Sequence, residues 1–497
     1  MVFETKKKKK SKYFIFFIFG CWLALGNAPF SFSYFALLAL PAVAFFWARH
    51  PYSPLDSGLF GGFFGIGYFL VTLLWLAEPF FVGDQKYLPI LAPFAVLVVS
   101  VYLSIFWGIA FYLASYFGGG ARPKIILNLI MFLTLSELVR SFLFGGFPWG
   151  LVSYISIDTP LSQLASLFGP YFLSFVIYFL YFSMIISKSW MIGSILANFS
   201  LYLLGSFLYF QTPLRPNDAN AIRLVQPNIK QSEKWDKEKA EEFYRLYVEL
   251  GTEGDKADVI ILPETVTAIQ STDIPDLIKK ISKDFNTNLI FGARRLDKDN
   301  SGLYNSILFF DKSTLEVSIY DKYYLVPFGE YLPLINWFVS KQDMYKYGFS
   351  KGSKIGEIKV LNLPTLLPAI CYEIIFSVKI GQRFKDAGWI LNLTNDAWFG
   401  NFSGPQQHFI QARMRSIELG VPLVRVANTG ITAVINSNGS VKNSMPLDKR
   451  GALTVSLPAR ESRTLYSFVG PLNWIILLTA LSLLSLLVIN RKNAISS

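Results

Sequence analysis

The sequence predicts a membrane α-helical bundle of about eight transmembrane helices joined to a layered α/β domain. Three observations carry that expectation. Hydrophobic residues make up 52% of the 497 positions and charged residues only 16%, against about 25% charged in ordinary soluble proteins. Apolar runs of spanning length recur between residues 13 and 210 and once more near the carboxyl end. From Arg215 the composition changes: charged residues reach soluble density, and β-rich runs alternate with amphipathic helical patterns, as layered α/β structure requires.

In chain order, the apolar spans are expected at roughly 13–28, 33–48, 57–79, 88–117, 124–143, 163–187 and 190–210, with an eighth at 466–489. The first span follows Lys6 to Lys10 and Lys12, so a cleaved signal peptide is the competing reading. Ile18-Phe-Gly-Cys21 faintly resembles a lipoprotein cleavage box, but Phe19 is bulky where a small residue belongs and no small-x-small site lies in a convincing place, so the segment is expected to stay attached. With the amino terminus inside, the inner loops hold that lysine run together with Arg49, Arg122, Lys124, Lys188, Arg491 and Lys492, whereas the outer side of the amino-terminal block holds only Lys86 and Arg140. This asymmetry orients the bundle by the positive-inside rule. The net charge of +12 is thus a topology signal. A nucleic-acid partner is not expected, since that needs basic residues clustered on a folded surface. Glu137 and Arg140 lie three residues apart on one helical face. They read either as an ion pair orienting helices or as groups facing a cavity.

Pro213, Pro216 and Asn217 mark a linker. The expected divisions are 1–212, a membrane domain with seven spans; 213–465, an α/β domain outside the cytoplasm; and 466–497, the last span with a cytoplasmic tail. In the middle region a strand at 222–228 precedes an amphipathic helix at 231–250. Further β-rich runs lie at 258–263, 288–293, 303–311, 315–321, 358–371, 389–394, 422–427 and 431–436, with helical patterns near 273–285, 377–386 and 404–420.

Chemistry-bearing residues concentrate in that region. Leu367-Pro-Ala-Ile-Cys-Tyr-Glu-Ile-Ile-Phe376 is an apolar run whose strand would end at Cys371, lifting a thiol to the sheet edge where a turn exposes it. A buried, inert cysteine is the alternative. Val259-Ile-Ile-Leu-Pro-Glu264 is a strand ending in a carboxylate. Tyr320-Asp-Lys-Tyr-Tyr-Leu-Val-Pro-Phe-Gly-Glu-Tyr-Leu-Pro333 places Lys322 and Glu330 in a loop just past another strand. A glutamate, a lysine and a cysteine on three strand ends make an acyl-transfer set of base, cation and nucleophile. With two cysteines and two histidines in the chain, a disulfide framework, a histidine-based metal site and a Cys-His dyad all lack material.

These stretches resemble the Glu-Lys-Cys triad of the carbon-nitrogen hydrolase (nitrilase) superfamily. Asp-Lys-x-x-Leu-Val-Pro-Phe-Gly-Glu-Tyr, Ile-Cys-Tyr-Glu-Ile and the downstream Asn395-Asp-Ala-Trp-Phe-Gly400 resemble its membrane branch, the apolipoprotein N-acyltransferase family, over roughly residues 222–445. The resemblance implies a four-layer αββα nitrilase-like sandwich, with Cys371 as nucleophile, Lys322 as the cation that lowers the thiol pKa and stabilises oxyanions, and Glu264 as the proton shuttle. It implies Glu330 and Glu373 as supporting carboxylates, with Tyr372 and Asn305 around the site. A surface or salt-bridging glutamate is the alternative for both carboxylates. Trp235 is expected either to line an acyl channel or simply to pack. Asn395, Asp396, Trp398 and His408 are expected to shape a wall of the site. The aromatic segment 334–349 is read either as a flap dipping into the membrane interface or as a packed loop. Tyr323-Tyr324 departs from the family, where a basic residue or histidine is expected.

The resemblance further implies transfer of a fatty acyl chain from a phospholipid donor, through a Cys371 thioester, to the α-amino group of a diacylated apolipoprotein acceptor, the last step of lipoprotein maturation. It needs no metal or organic cofactor. The protein is expected to be a monomer of the inner membrane with both termini cytoplasmic and the catalytic domain periplasmic. The alternatives are a membrane-tethered nitrilase-like amidase that hydrolyses its thioester with water, and a transporter with a solute-binding outer domain. Transporters place ionisable groups at mid-membrane, whereas here the informative residues lie in the polar region.

Overall fold

The computed structural model describes residues 6–49, 52–82, 88–211, 216–270, 273–298, 302–333, 348–353, 356–359, 363–460 and 463–491. It divides into two compact units: Met1–Gln211 with Phe402–Ile410 and Thr464–Ser497, and Thr212–Asn401 with Gln411–Arg463. The segment Phe402–Ile410, which sequence patterning keeps with the polar region, therefore groups with the helical unit. Gln407 shows why: it accepts from the Trp149 indole N–H at 2.7 Å and donates to the Ala28 carbonyl at 3.0 Å. The His408 ring stacks on Trp149 with centroids 5.9 Å apart.

Among the described residues of the helical unit, six helices are long and apolar enough to cross a membrane: Pro54–Thr72, Leu88–Gly118, Arg122–Gly145, Pro160–Ser183, Lys188–Gln211 and Pro471–Ile489. The first two expected spans coincide with shorter apolar helical stretches, Ser11–Ala24 and Ser33–Trp47. The second of these is built from two helices that meet at Leu38. Between Phe142 and Ala165 the chain leaves regular helix, and buried polar side chains take over the backbone there, as hydrocarbon surroundings demand. The Arg140 guanidinium donates to the carbonyls of Phe147, Trp149 and Gly150 at 2.8–3.0 Å. Glu137 accepts from the Val152 amide and the Tyr178 hydroxyl. The direct Glu137–Arg140 separation is 3.8 Å, so the pair serves chiefly to hold this irregular segment, the structural one of its two expected readings.

The second unit is an α/β/β/α sandwich. Its twelve described strands are β1 (Pro216–Gln226), β2 (Val259–Ile261), β3 (Thr267–Gln270), β4 (Asn288–Leu296), β5 (Leu303–Asp311), β6 (Glu316–Asp321), β7 (Leu366–Ile370), β8 (Trp389–Thr394), β9 (Leu423–Ala427), β10 (Thr432–Ile435), β11 (Val441–Met445) and β12 (Gly451–Pro458). One sheet runs β12-β1-β2-β4-β5-β6 with β3 paired to β4; the other runs β11-β10-β9-β8-β7. Side chains alternate across a strand, and the first sheet uses both faces. Ile222, Leu224, Ile261, Ile290, Ile307 and Phe309 join Ile370, Leu391, Leu393, Val424 and Val426 of the second sheet in one core. Val225, Ile260, Leu289, Phe291, Leu308 and Phe310 point the other way, against the helices Ala240–Thr252 and Ile274–Phe285. In the second sheet β7, β8 and β9 are parallel, which requires crossover connections. The helices Ser377–Arg383 and Gly404–Leu419 lie in those connections. All six residues of β8 are buried, as expected of a parallel strand covered on both faces.

Candidate active site

Glu264 emerges from a bulge. β2 ends at Ile261 and β3 begins at Thr267, yet both pair with β4 in parallel. Between them Pro263 to Thr265 arch over Gly292, which donates to the Pro263 carbonyl at 3.0 Å and accepts from the Val266 amide at 2.8 Å. A Cβ on Gly292 would lie 2.5–2.7 Å from Thr265 N, Glu264 Cα and Pro263 O. Only glycine allows the arch to sit this close, which is what a glycine within a strand signals. Thr265 takes a left-handed φ of +51°, uncommon for a β-branched residue.

Lys322 follows β6, and its amide donates to the Asn305 carbonyl on neighbouring β5. Its ammonium, 1% exposed, donates to Glu330 Oε1 at 2.7 Å. Asn305 links the two carboxylates: its side-chain amide donates to Glu264 Oε1 at 2.7 Å and to Glu330 Oε1 at 3.2 Å. Glu330 also closes its own loop, accepting from the Val326 amide through Oε2 at 2.9 Å. Both its oxygens are thus engaged, and it holds Lys322 in the cluster that includes Glu264.

Cys371 lies directly after β7 with φ +47°, opening the short 3-10 turn Cys371–Ile375. This is the strand-to-turn geometry expected at a sheet edge, but the thiol is buried rather than exposed by the turn. Glu373, two residues on and fully buried, anchors the turn. It accepts from the Ile370 amide at 2.8 Å, the Tyr320 hydroxyl, and the amides of Tyr323 and Tyr324 at 2.9 and 3.1 Å. Arg415 supports the turn from another direction, donating to the carbonyls of Ile374 and Ile375 while paired with Glu418 at 2.7 Å. Burial pushes the Glu418 carboxyl up to about 7 against the lowering by Arg415.

The electrostatics are those of a dry site. Burial, then Glu264, push the Cys371 thiol up, with Lys322 acting in the opposite sense. Burial likewise raises Glu264, opposed by Lys322 and reinforced by Glu330. Lys322 is held charged: burial works against its ammonium, but Glu330, Glu264 and the Cys371 sulfur outweigh it. Lys322 acts to lower the thiol pKa, but desolvation and the Glu264 carboxylate dominate.

The other expected residues fall in varied places. Tyr372 is buried against Phe376, ring centroids 5.1 Å apart. Trp235 is 39% exposed and stacks under the Arg294 guanidinium at 4.6 Å; it borders a cavity of about 370 Å³. Asn395 donates to the Gln231 side chain at 2.7 Å. Asp396 is buried in an ion pair with Arg425 at 2.6 Å, and Trp398 is 42% exposed. Of the aromatic segment 334–349, residues 334–347 lie outside the described residues. Sequence reasoning misses Lys234 and Gly292. The glycine within an apolar strand is a usable signal, but nothing local marks the lysine.

The sequence matches two family models, one described as apolipoprotein N-acyltransferase N-terminal domain over residues 19–183 and one as carbon-nitrogen hydrolase over residues 221–466. Its relatives include an apolipoprotein N-acyltransferase of Brucella suis, 31% identical with 95% of this chain and 93% of that one covered. Another from Bradyrhizobium diazoefficiens is 34% identical over 83% and 82%. Among solved structures, a CN-hydrolase superfamily protein from Xanthomonas campestris aligns with 48% of this chain and 90% of its own at 16% identity and a TM-score of 0.36.

Proposed function

The chain belongs to the apolipoprotein N-acyltransferase family, and from that premise we propose that Glu264, Lys322 and Cys371 move a fatty acyl chain from a phospholipid to the amino-terminal cysteine of a diacylated apolipoprotein. It is a membrane protein and an acyltransferase of the carbon-nitrogen hydrolase fold. The observation that carries the assignment of roles is the bridge of Asn305 between Glu264 and Glu330, with Lys322 on the same Glu330 oxygen. Base and cation, from strand ends distant in sequence, share one hydrogen-bonded cluster whose field acts on the Cys371 thiol.

In the first half-reaction Glu264 takes the thiol proton as sulfur attacks the ester carbonyl of the phospholipid. The oxyanion of the tetrahedral intermediate is stabilised by the Lys322 ammonium and a backbone N–H after Cys371. The C–O bond breaks, the proton passes from Glu264 to the leaving oxygen, and a lysophospholipid departs. In the second, the acceptor α-amine attacks the thioester, Glu264 receives its proton, the C–S bond breaks, and the proton returns to sulfur. The products are an amide and the original thiol. Burial and the Glu264 carboxylate, which push the Cys371 thiol up, fit a scheme in which a base takes the thiol proton during attack. Glu330 positions Lys322, and Glu373 joins the Cys371 turn to the Lys322 loop.

The basic-residue asymmetry supports a bundle with both termini in the cytoplasm and the catalytic unit on the periplasmic side of the inner membrane. The enzyme acts as a monomer there. The test is intact-mass measurement after incubation with defined phospholipid, followed by addition of a diacylated lipopeptide. A fatty-acyl adduct on the wild-type protein, absent from Cys371→Ala and discharged as N-acyl lipopeptide, is expected. An adduct discharged only to free fatty acid would establish an amidase-like hydrolase, and no adduct with solute uptake would establish a transporter.

A further inference from the structure

Lys234 lies outside the Glu-Lys-Cys set but beside it. Its ammonium is buried and donates to the Glu264 backbone carbonyl and to Thr265 Oγ1, each at 2.9 Å. Both acceptors are uncharged, and among the described residues the lysine forms no salt bridge. It also borders the cavity of about 370 Å³, where Trp235, Phe243, Tyr247, Leu262 and Phe291 supply an apolar wall. A buried ammonium against hydrocarbon without a carboxylate partner is costly. Burial pulls its pKa down to about 8, with Arg294 acting the same way, while Glu264 and Cys371 hold it up.

We propose that Lys234 is a second cation of the site and a positioning residue for Glu264: it pins the Pro263–Thr265 arch and supplies positive charge to the negative charge that moves between the carboxylate and the Cys371 sulfur. The two lysines differ in how they are matched. Lys322 is tied directly to Glu330, whereas Lys234 donates to the Glu264 carbonyl and the Thr265 hydroxyl and, among the described residues, has no direct ion pair. The field of Lys234 is therefore not cancelled by a bound carboxylate, and it favours the states in which proton transfer has left charge on sulfur or on the substrate oxygen. The same two hydrogen bonds hold Thr265 in its left-handed conformation and fix the peptide from which Glu264 projects.

This inference rests on the assignment of Glu264 and Cys371, and its test needs no lipid. The rate of Cys371 alkylation by iodoacetamide, followed by peptide mass mapping so that Cys21 is scored separately, is measured against pH. Lys234→Met is expected to move the profile to higher pH, and for each pH unit that it moves, alkylation at a fixed pH becomes about tenfold slower. Lys234→Arg keeps the charge and keeps the profile near its wild-type position. A Lys234→Met profile that coincides with wild type while the thermal midpoint falls would mean a purely structural lysine and would overturn the proposal. Should Lys234→Met fail to fold, Lys234→Gln, which loses the charge but can still donate to the Glu264 carbonyl, decides: slower alkylation in the same direction is expected, and an unchanged profile overturns the proposal. Acyl-adduct formation on the wild-type protein judges the functional assignment separately.

Discussion

The carboxylate of Glu373 accepts the amide N–H of Tyr323 at 2.9 Å. Tyr323 directly follows Lys322, and Glu373 lies two residues past Cys371, so this bond ties the Lys322 loop on the first sheet to the Cys371 turn on the second. With the Tyr320 hydroxyl and the amides of Tyr324 and Ile370 on the same carboxylate, Glu373 clamps the two sheets at the edge where the site forms.

Replacing that carboxylate by an amide sets N–H against N–H. Glu373→Gln keeps the shape but offers one acceptor oxygen where donors approach both. Leaving a buried donor unsatisfied costs about 1–3 kcal/mol. The variant is expected to melt earlier and to form acyl adduct more slowly, whereas Tyr320→Phe, which removes one donor, should cost about 1 kcal/mol. Equal thermal midpoints for Glu373→Gln and wild type would contradict the clamp.

Gly292→Ala tests the arch under the base. Its Cβ would meet backbone atoms of Pro263 to Thr265 at 2.5–2.7 Å, and backbone, unlike a flexible side-chain tip, cannot swing aside. Displacement of Glu264 by about 1 Å is expected to slow acyl-adduct formation by about a hundredfold. Rapid-quench mass spectrometry of the first half-reaction measures this, and wild-type kinetics would show that the arch does not set the base.

Glu264→Gln separates charge from proton transfer. Burial first, and Glu264 second, raise the Cys371 thiol, so removing the carboxylate charge lowers its pKa. Thiolate absorbance should therefore appear at lower pH than in wild type, while turnover is abolished because nothing accepts and returns the proton. Turnover close to wild type would remove Glu264 from the mechanism.

The wild-type rate should fall as pH drops through the raised Glu264 pKa, since only its ionised form takes the proton. Burial raises that pKa, so the acidic limb is expected above the ordinary carboxylate range of about 4.3. Stability runs the other way: a carboxyl with a raised folded pKa keeps its proton longer folded than unfolded, so its contribution is fully present below the unfolded value and is lost as pH rises through the folded one. Glu418, pushed up to about 7, gives the same sign. Glu418→Gln should flatten the fall in thermal midpoint between roughly pH 4.5 and 7.

Lys322→Met removes the cation and leaves the part-buried Glu330 carboxylate without its ion-pair partner. Breaking a buried pair from one side costs about 3–5 kcal/mol, so Glu330→Gln combined with Lys322→Met should recover stability but not turnover. Acylation near the wild-type rate in either background would exclude Lys322 from the chemistry.

Local pattern was enough for the architecture and for where charged groups leave their strands. Runs of spanning length marked the bundle, though two of the eight came out as short helices because length alone does not register a break such as that at Leu38. Apolar runs ending at Glu264, just before Lys322 and at Cys371 marked three strand ends, since side-chain alternation and turn chemistry are read within a few residues. Glu373 could be assigned to core or surface only once both sheets were in place. The same holds for the Asn305 bridge, the buried Lys234 and the upward push of burial on the thiol. Each depends on which groups are desolvated together and on charges more than twenty residues apart meeting in a low-dielectric space, and no repeat of two or of 3.6 along the chain encodes that meeting.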